Sequence, residues 1–258
     1  MSSLQSIDLS VSISNKAVCN KLNLNIQPGQ VWGILGRNGV GKTTLLHTLA
    51  GLRSADSGSI LLNQTNINEL SRKQIAKKLG LLLQQSEDAF PSSVIDTVLT
   101  GRHPHIGNWS WESQDDLAIA KNALEIVQMS DLAERSIEHL SGGEKQRVAI
   151  ASLIAQSAEL YLLDEPNSHL DLKYQIQLLQ YFSEHAKQKK SATLMTLHDI
   201  NLAQQFCTHL LLLFGNGKSC SGETIDILNE NNLSKLYQHP LHKIDSEFGQ
   251  IFIPGKSE

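Results

Sequence analysis

The chain has 258 residues, and its 22 basic and 26 acidic side chains leave a net charge of −4, so nothing indicates a surface for nucleic acid. Its apolar content of 40% suits a globular core, and the longest apolar run, residues 210–214, is far shorter than the roughly 20 residues of a membrane span. Three distant cysteines favour neither a disulfide framework nor a zinc site, and the N-terminus lacks signal-peptide features, so we expect a protein of a reducing cytoplasm.

The first third of the chain predicts strands placed around a glycine-rich loop. Polar and apolar residues alternate in the first two segments, the second of which ends in a Pro-Gly turn. The predicted elements are strands at 6–13, 22–29 and 30–36, a helix at 42–52, a strand at 55–63, a helix at 70–80 and a strand at 79–85.

Helical periodicity dominates from about residue 86, and strands return near residue 159. A mainly helical block, about residues 86–155, therefore interrupts an α/β core, and alternating strands and helices favour a largely parallel sheet. Such sheets place ligands at their strand ends. The predicted elements are helices at 93–101, 113–129 and 143–157, strands at 159–166, 191–199 and 209–217, and a helix at 170–190.

The spacing G-x-x-x-x-G-K-T in the loop predicts a polyphosphate site. Backbone N–H groups of a glycine-rich turn converge on anion oxygens, and the following helix adds its positive end. Lys42 is expected to reach the terminal phosphates, and the Thr43 hydroxyl to bind Mg²⁺. The predicted nucleotide-binding residues here are Gly36, Asn38, Gly39, Gly41, Lys42, Thr43 and Thr44.

Two acidic residues, Asp164 and Glu165, end the predicted strand at 159–166. A buried carboxylate is costly unless it is paired or bound to metal. We expect Asp164 to belong to the Mg²⁺ shell, and Glu165 to face the γ-phosphate and polarise the attacking water.

The segment "LSGGEKQRVAIA" narrows the class of protein. Ser141, Gly142 and Gly143 open a helix, which predicts a second phosphate site. Because the chain already has its own phosphate loop, this second site is most useful to another copy of the chain. The segment resembles the signature motif of ABC transporter nucleotide-binding subunits, and the resemblance implies contact with the γ-phosphate held by the opposite subunit of a head-to-tail homodimer.

The other motifs of that family follow in order. Residues 167–171 resemble the D-loop, and "TLHD" implies that His198 is the switch histidine that touches the γ-phosphate. Gln84, with Gln85 as a rival, resembles the Q-loop glutamine. The resemblance implies that this residue binds Mg²⁺ and links the core to the helical block. The implied catalytic residues are Glu165, His198 and Gln84, and the implied metal ligands are Thr43, Gln84 and Asp164.

The resemblance implies an α/β fold: a P-loop NTPase (RecA-like) core with an N-terminal antiparallel β subdomain and an inserted α-helical subdomain. It assigns residues 1–225 to the ATPase domain and 226–258 to a C-terminal extension. The chain departs from the family in two places. Ile13 or a neighbour stands where an aromatic residue often stacks on adenine, and Asn167 replaces the commoner threonine after "DEP".

A single cassette without spans implies separate membrane subunits. The segments "GRHPHIGNW", "SHLDLKYQ" and "LHDINLAQQF" are similar to importers of iron-siderophores, heme and cobalamin. That group implies ATP and Mg²⁺ as cofactors, a permease and an external substrate-binding protein as partners, and a peripheral place on the cytoplasmic face of the inner membrane. A soluble ABC ATPase in assembly or regulation shares every motif and stays an alternative, and kinase activity is a distant third.

Overall fold

The computed structural model describes residues 3–83, 91–107, 111–189, 191–247 and 249–255. Within these ranges the strands are β1 (Leu4–Ile13), β2 (Lys16–Ile26), β3 (Val31–Gly36), β4 (Ser57–Leu62), β5 (Thr65–Asn66), β6 (Leu79–Leu82), β7 (Leu160–Leu163), β8 (Ala192–Thr196), β9 (His209–Gly215), β10 (Lys218–Glu223), β11 (Leu241–Ser246) and β12 (Gly249–Pro254). The α-helices there are α1 (Lys42–Leu49), α2 (Arg72–Ala76), α3 (Val94–Leu99), α4 (Gln114–Ile126), α5 (Gly142–Ala155), α6 (Leu172–Lys189), α7 (Ile200–Phe206), α8 (Thr224–Ile227) and α9 (Glu230–Tyr237).

The alternating N-terminal segments form an antiparallel sheet in the order β2-β1-β4-β5. The alternation along β1 shifts at an irregularity between Ser6 and Leu9, so Leu4 and Ser6 are buried before it and Leu9 and Val11 after it. The antiparallel subdomain expected near the N-terminus is therefore present.

The second sheet has six strands in the order β10-β9-β3-β8-β7-β6. Its strands run parallel except β10, which pairs antiparallel with β9. One face of this sheet packs against α1 and the antiparallel sheet, and the other packs against helices, so every residue of β3, β7 and β8 is buried. Because β3, β8 and β7 are parallel neighbours, their carboxyl ends meet at one edge, where the glycine-rich loop, His198 and the acid pair follow them.

Helices α3, α4 and α5 form the inserted block. Their apolar faces share one cluster that includes Val98, Leu124 and Val148. Arg102, which is 8% exposed, joins the helices: its Nε donates to Asp116 Oδ1 over 2.8 Å and its Nη1 to the Ala155 carbonyl over 2.8 Å. Helices connected through both apolar and charged contacts form one packed unit.

The C-terminal segment adds two short helices and a hairpin of β11 and β12. Leu233, Leu236 and Phe252 are buried in the same cluster as the strands of the large sheet. The segment thus packs directly on the α/β core. Its sequence has no clear periodicity, because its elements are short and only a few of their side chains are buried.

The predicted helices are all somewhat shorter than their segments, and the segment at 70–80 loses the most. The segment at 42–52 is helical only to Leu49, and the segment at 70–80 only over α2, where Ser71 and Gln74 form a reciprocal capping box. The residues after α2 turn directly into β6. Among the helices that the structure describes, none has both the length and the apolar character that a bilayer crossing requires.

Candidate active site

The loop between β3 and α1 is shaped by glycine. Gly39 and Gly41 have φ angles of 75° and 104°, in the left-handed region that side chains disfavour. At Gly41 a Cβ would lie 2.4 Å from Cγ2 of Val18, so no larger residue fits. The loop therefore keeps its backbone bare, as contact between N–H groups and phosphate oxygens requires.

Lys42 is the first residue of α1 and is 6% exposed. Its Nζ donates to the carbonyl of Gly36 over 2.9 Å, so the side chain folds back across the loop. Burial lowers the pKa of Lys42, and the carboxylates of Glu165 and Asp164 oppose that shift. The ammonium group thus lies in the electrostatic reach of both acids.

Asp164 and Glu165 follow β7 and face different surroundings. Asp164 is fully buried and its Oδ1 accepts a hydrogen bond of 2.8 Å from the Thr196 hydroxyl. Its other oxygen, Oδ2, is also buried, and no described residue hydrogen-bonds to it. A buried carboxylate oxygen in this state fits a divalent cation, because such cations prefer oxygen ligands.

Glu165 contacts the segment that follows β8. His198 Nε2 lies 2.7 Å from Glu165 Oε1, and the Ser168 hydroxyl donates to Oε2 over 3.3 Å. The imidazole is 45% exposed and the carboxylate 17% exposed. Glu165 is therefore held between His198 and Ser168, whereas the imidazole of His198 is open toward solvent.

A cavity of about 390 Å³ lies between the loop, the acid and the histidine. It combines predicted residues from three parts of the sequence with Ile13, which, with its neighbours, stands where an aromatic residue often stacks on adenine in the family. Gly36, the last residue of β3, and Asp164 do not belong to its lining. The cavity is lined by Ile13, Asn38, Gly39, Gly41, Lys42, Thr43, Thr44, Glu165 and His198.

The signature residues lie elsewhere. Ser141 caps α5: its Oγ accepts from the Glu144 N–H over 3.3 Å, and Glu144 Oε2 accepts from the Ser141 N–H over 2.7 Å. Ser141 and Gly142 are exposed, and neither they nor Gly143 belong to the cavity lining. A Cβ on Gly143 would lie 3.0 Å from the carbonyl of His169, so α5 begins directly against the D-loop segment.

Two contacts made to the acid pair were not predicted from the sequence. Two of the predicted residues lie outside the described part of the chain. Thr196 and Ser168 hydrogen-bond the acid pair. The buried hydroxyls of β8 were a weak signal, because they did not distinguish Thr196 from Thr193 in the same strand. Gln84 and Gln85 lie outside the described residues.

The glycine-rich loop with its buried lysine and the acid pair follow parallel strands of one sheet. Together they define the protein as a P-loop nucleotide hydrolase. The family profile described as ABC transporter matches residues 19–168. The chain belongs to the ABC transporter family, and it is an ATP hydrolase of that family.

Named relatives and a solved structure agree with this assignment. Iron(3+)-hydroxamate import ATP-binding protein FhuC of Bacillus subtilis (strain 168) is 34% identical over 92% of this chain and 88% of its own length. Ferric enterobactin transport ATP-binding protein FepC of Escherichia coli (strain K12) is 32% identical over 91% and 86%. An inward-facing structure assigned to the metal-chelate type of ABC transporter is 30% identical, with a TM-score of 0.86 over 99% of this chain and 98% of that one. The predicted fold class is confirmed.

Proposed function

We propose that this chain is the ATP-hydrolysing subunit of an importer that takes up an iron-siderophore or a related metal chelate through separate membrane permease subunits. The support is the wording of the relatives' names together with coverage of nearly the whole chain, including its C-terminal segment. Iron-siderophores are favoured over heme and cobalamin, because iron chelates are the cargo in those names. The subunit would lie peripherally on the cytoplasmic face of the inner membrane, served by an external substrate-binding protein.

One observation carries the proposal that two copies act together. The cavity holds the phosphate loop, Glu165 and His198, whereas Ser141 and Gly142 are exposed outside it. A capped helix N-terminus that faces solvent offers N–H groups to an anion. In a head-to-tail homodimer, Ser141, Gly142 and Gly143 of each copy would contact the triphosphate bound to the other.

Each residue of the cavity has a role in this scheme. The loop amides of Asn38, Gly39 and Gly41 and the Lys42 ammonium group would hold the phosphates, with Gly36 and Thr44 shaping the two ends of the loop. Mg²⁺, when bound with ATP, would neutralise phosphate charge. Its proposed protein ligands are Thr43, Asp164 and Gln84.

Hydrolysis is assigned to the pair of side chains at the mouth of the cavity. Glu165 would orient and polarise the attacking water, and His198 would hydrogen-bond both Glu165 and the γ-phosphate. The 2.7 Å contact between the two residues supports this division of roles. ATP then favours the closed dimer by binding it more tightly than the open form, and hydrolysis removes that preference.

The test of the site is Glu165→Gln. This variant should bind ATP, form a stable dimer measured by analytical ultracentrifugation, and release phosphate at least about 100-fold more slowly than the unchanged protein. Normal phosphate release by Glu165→Gln would remove the catalytic role of Glu165. A strictly monomeric ATP-loaded variant would remove the shared-site dimer.

The test of the importer is recovery of the partner and of the cargo. Tagged protein purified from detergent-solubilised membranes should bring a polytopic membrane protein with it. Deletion of the gene for that membrane protein should abolish uptake of radioactive iron supplied as a siderophore complex. If iron uptake were retained while cobalamin or heme uptake was lost, the assignment of an iron-siderophore as the cargo would be wrong. Purification without a membrane protein, together with unchanged uptake, would favour a soluble ABC ATPase.

A further inference from the structure

We propose that Thr196 is a positioning residue that holds both acids of the site in their working geometry; this rests on the roles proposed above for Asp164 and Glu165. Thr196 is the last residue of β8 and is fully buried. Its hydroxyl donates to Asp164 Oδ1 over 2.8 Å and accepts from the backbone N–H of Glu165 over 2.7 Å. One hydroxyl thus connects the strand before His198 to both acids.

The backbone at Glu165 needs this support. Its φ of 46° lies in the left-handed region, which an L side chain adopts at a cost. Asp164 N–H still donates to the Leu82 carbonyl over 3.0 Å and so continues the pairing between β6 and β7. The Glu165 N–H has left that pattern and finds its acceptor in Thr196, so the hydrogen bond stabilises the turn that aims the Glu165 side chain at the cavity.

The same hydroxyl orients Asp164. It has one proton, and since that proton goes to Oδ1, its oxygen is left to accept from Glu165. Oδ2 of Asp164 is buried and has no hydrogen-bond donor among the described residues. Thr196 therefore determines which oxygen of Asp164 is available to a cation.

Substituting Thr196 by valine or by serine separates the effect of the hydroxyl from the effect of side-chain shape. Thr196→Val keeps the volume and removes both hydrogen bonds, whereas Thr196→Ser keeps both. Thr193 offers a matched control in the same strand, because it is also fully buried but no described residue hydrogen-bonds its Oγ1. Thr193→Val removes a hydroxyl of the same kind without removing a contact to either acid.

The first measurement uses protein without nucleotide. Amide hydrogen exchange at Glu165, followed by NMR, should be about tenfold faster in Thr196→Val, as loss of one hydrogen bond predicts, and unchanged in Thr196→Ser and Thr193→Val. Unchanged exchange in Thr196→Val would overturn the proposal. If Thr196→Val does not fold, Thr196→Ala takes its place in the same comparison.

The second measurement is hydrolysis. Thr196→Val should lower kcat by about 10- to 100-fold, because misplaced catalytic groups lose rate. The KM for ATP should change little, and the Mg²⁺ concentration at half-maximal rate should rise; serine should restore both values. Normal kcat and Mg²⁺ dependence in Thr196→Val would refute the positioning role. Faster exchange without a kcat loss would refute the positioning role as well, whereas full activity of Glu165→Gln would separately remove the acid role on which the proposal rests.

Discussion

His198 and Glu165 are in direct contact, with Nε2 of the imidazole 2.7 Å from Oε1 of the carboxylate. They are 33 positions apart in sequence, and they meet because β7 and β8 are parallel neighbours whose carboxyl ends lie side by side. The chemistry of the site therefore depends on sheet order. Each side chain limits the conformations of the other, so replacing one changes the environment of both.

Replacement of His198 should affect hydrolysis more than binding. His198→Ala is expected to lower kcat on the order of 100-fold, because a hydrogen-bond donor beside the reacting phosphate is lost. ATP affinity should change little, since the phosphate loop is intact. The measurement is phosphate release together with fluorescent-nucleotide binding. The exposed His103 in the helical block provides the control, and a normal rate in His198→Ala would contradict the role of the switch histidine.

Alanine should be tolerated differently at the two left-handed glycines of the phosphate loop. Gly39→Ala is opposed only by backbone conformation, worth about 1–2 kcal/mol, because nothing lies within 4 Å of the added Cβ. Gly41→Ala meets Val18 at 2.4 Å and should cost about 1–3 kcal/mol more. Urea unfolding without nucleotide measures the difference. Equal stability of the two variants would show that Val18 moves aside.

The contact between Arg102 and Asp116 should stabilise the protein in a pH-dependent way. The hydroxyl of Ser113 and the guanidinium of Arg102 lower the pKa of Asp116 below its ordinary value. Because the unfolded pKa is about 3.9, the stabilisation is complete above that pH and is lost progressively as the pH falls below it.

Asp116→Asn should therefore lower the melting temperature by a few degrees at pH 7, and the difference from the unchanged protein should shrink below about pH 4. Asp115→Asn removes the same charge from the same first turn of α4 and serves as the control, since Asp115 is exposed. Thermal unfolding from pH 7 to pH 3 checks this. A difference independent of pH would mean that Asp116 acts by packing alone.

The C-terminal hairpin should contribute to global stability. Phe252 is 4% exposed, and its backbone N–H donates to Asn201 Oδ1 over 3.0 Å, next to the switch segment. Phe252→Ala should cost about 3–5 kcal/mol in chemical unfolding. Ile253→Ala, on the exposed face at 39%, should cost about 1 kcal/mol or less. Equal effects would mean that the hairpin does not pack on the core in solution.

Local chemistry was readable from the residues alone. The phosphate loop, the acid pair and the signature are short segments whose predicted function depends on spacing within a few positions, and the loop and Glu165 line one cavity. The antiparallel N-terminal strands and the helical block were also predictable, because their periodicity extends over many residues. The extent of α1 and α2 was not, since tertiary contacts decide where a short helix ends.

The sequence by itself determined the class of chemistry, because polyphosphate binding needs particular residues at particular spacings. Only the tertiary structure decided which side chains support them. Thr196 reaches both acids, and Gln238 accepts a hydrogen bond of 2.5 Å from Arg37 of the phosphate loop, 201 positions away. No local pattern encodes such contacts, since they arise from strand order and packing between distant segments. Placement of Ser141 outside its own cavity was likewise a result of the fold, and it is the observation from which we infer a site that two copies share.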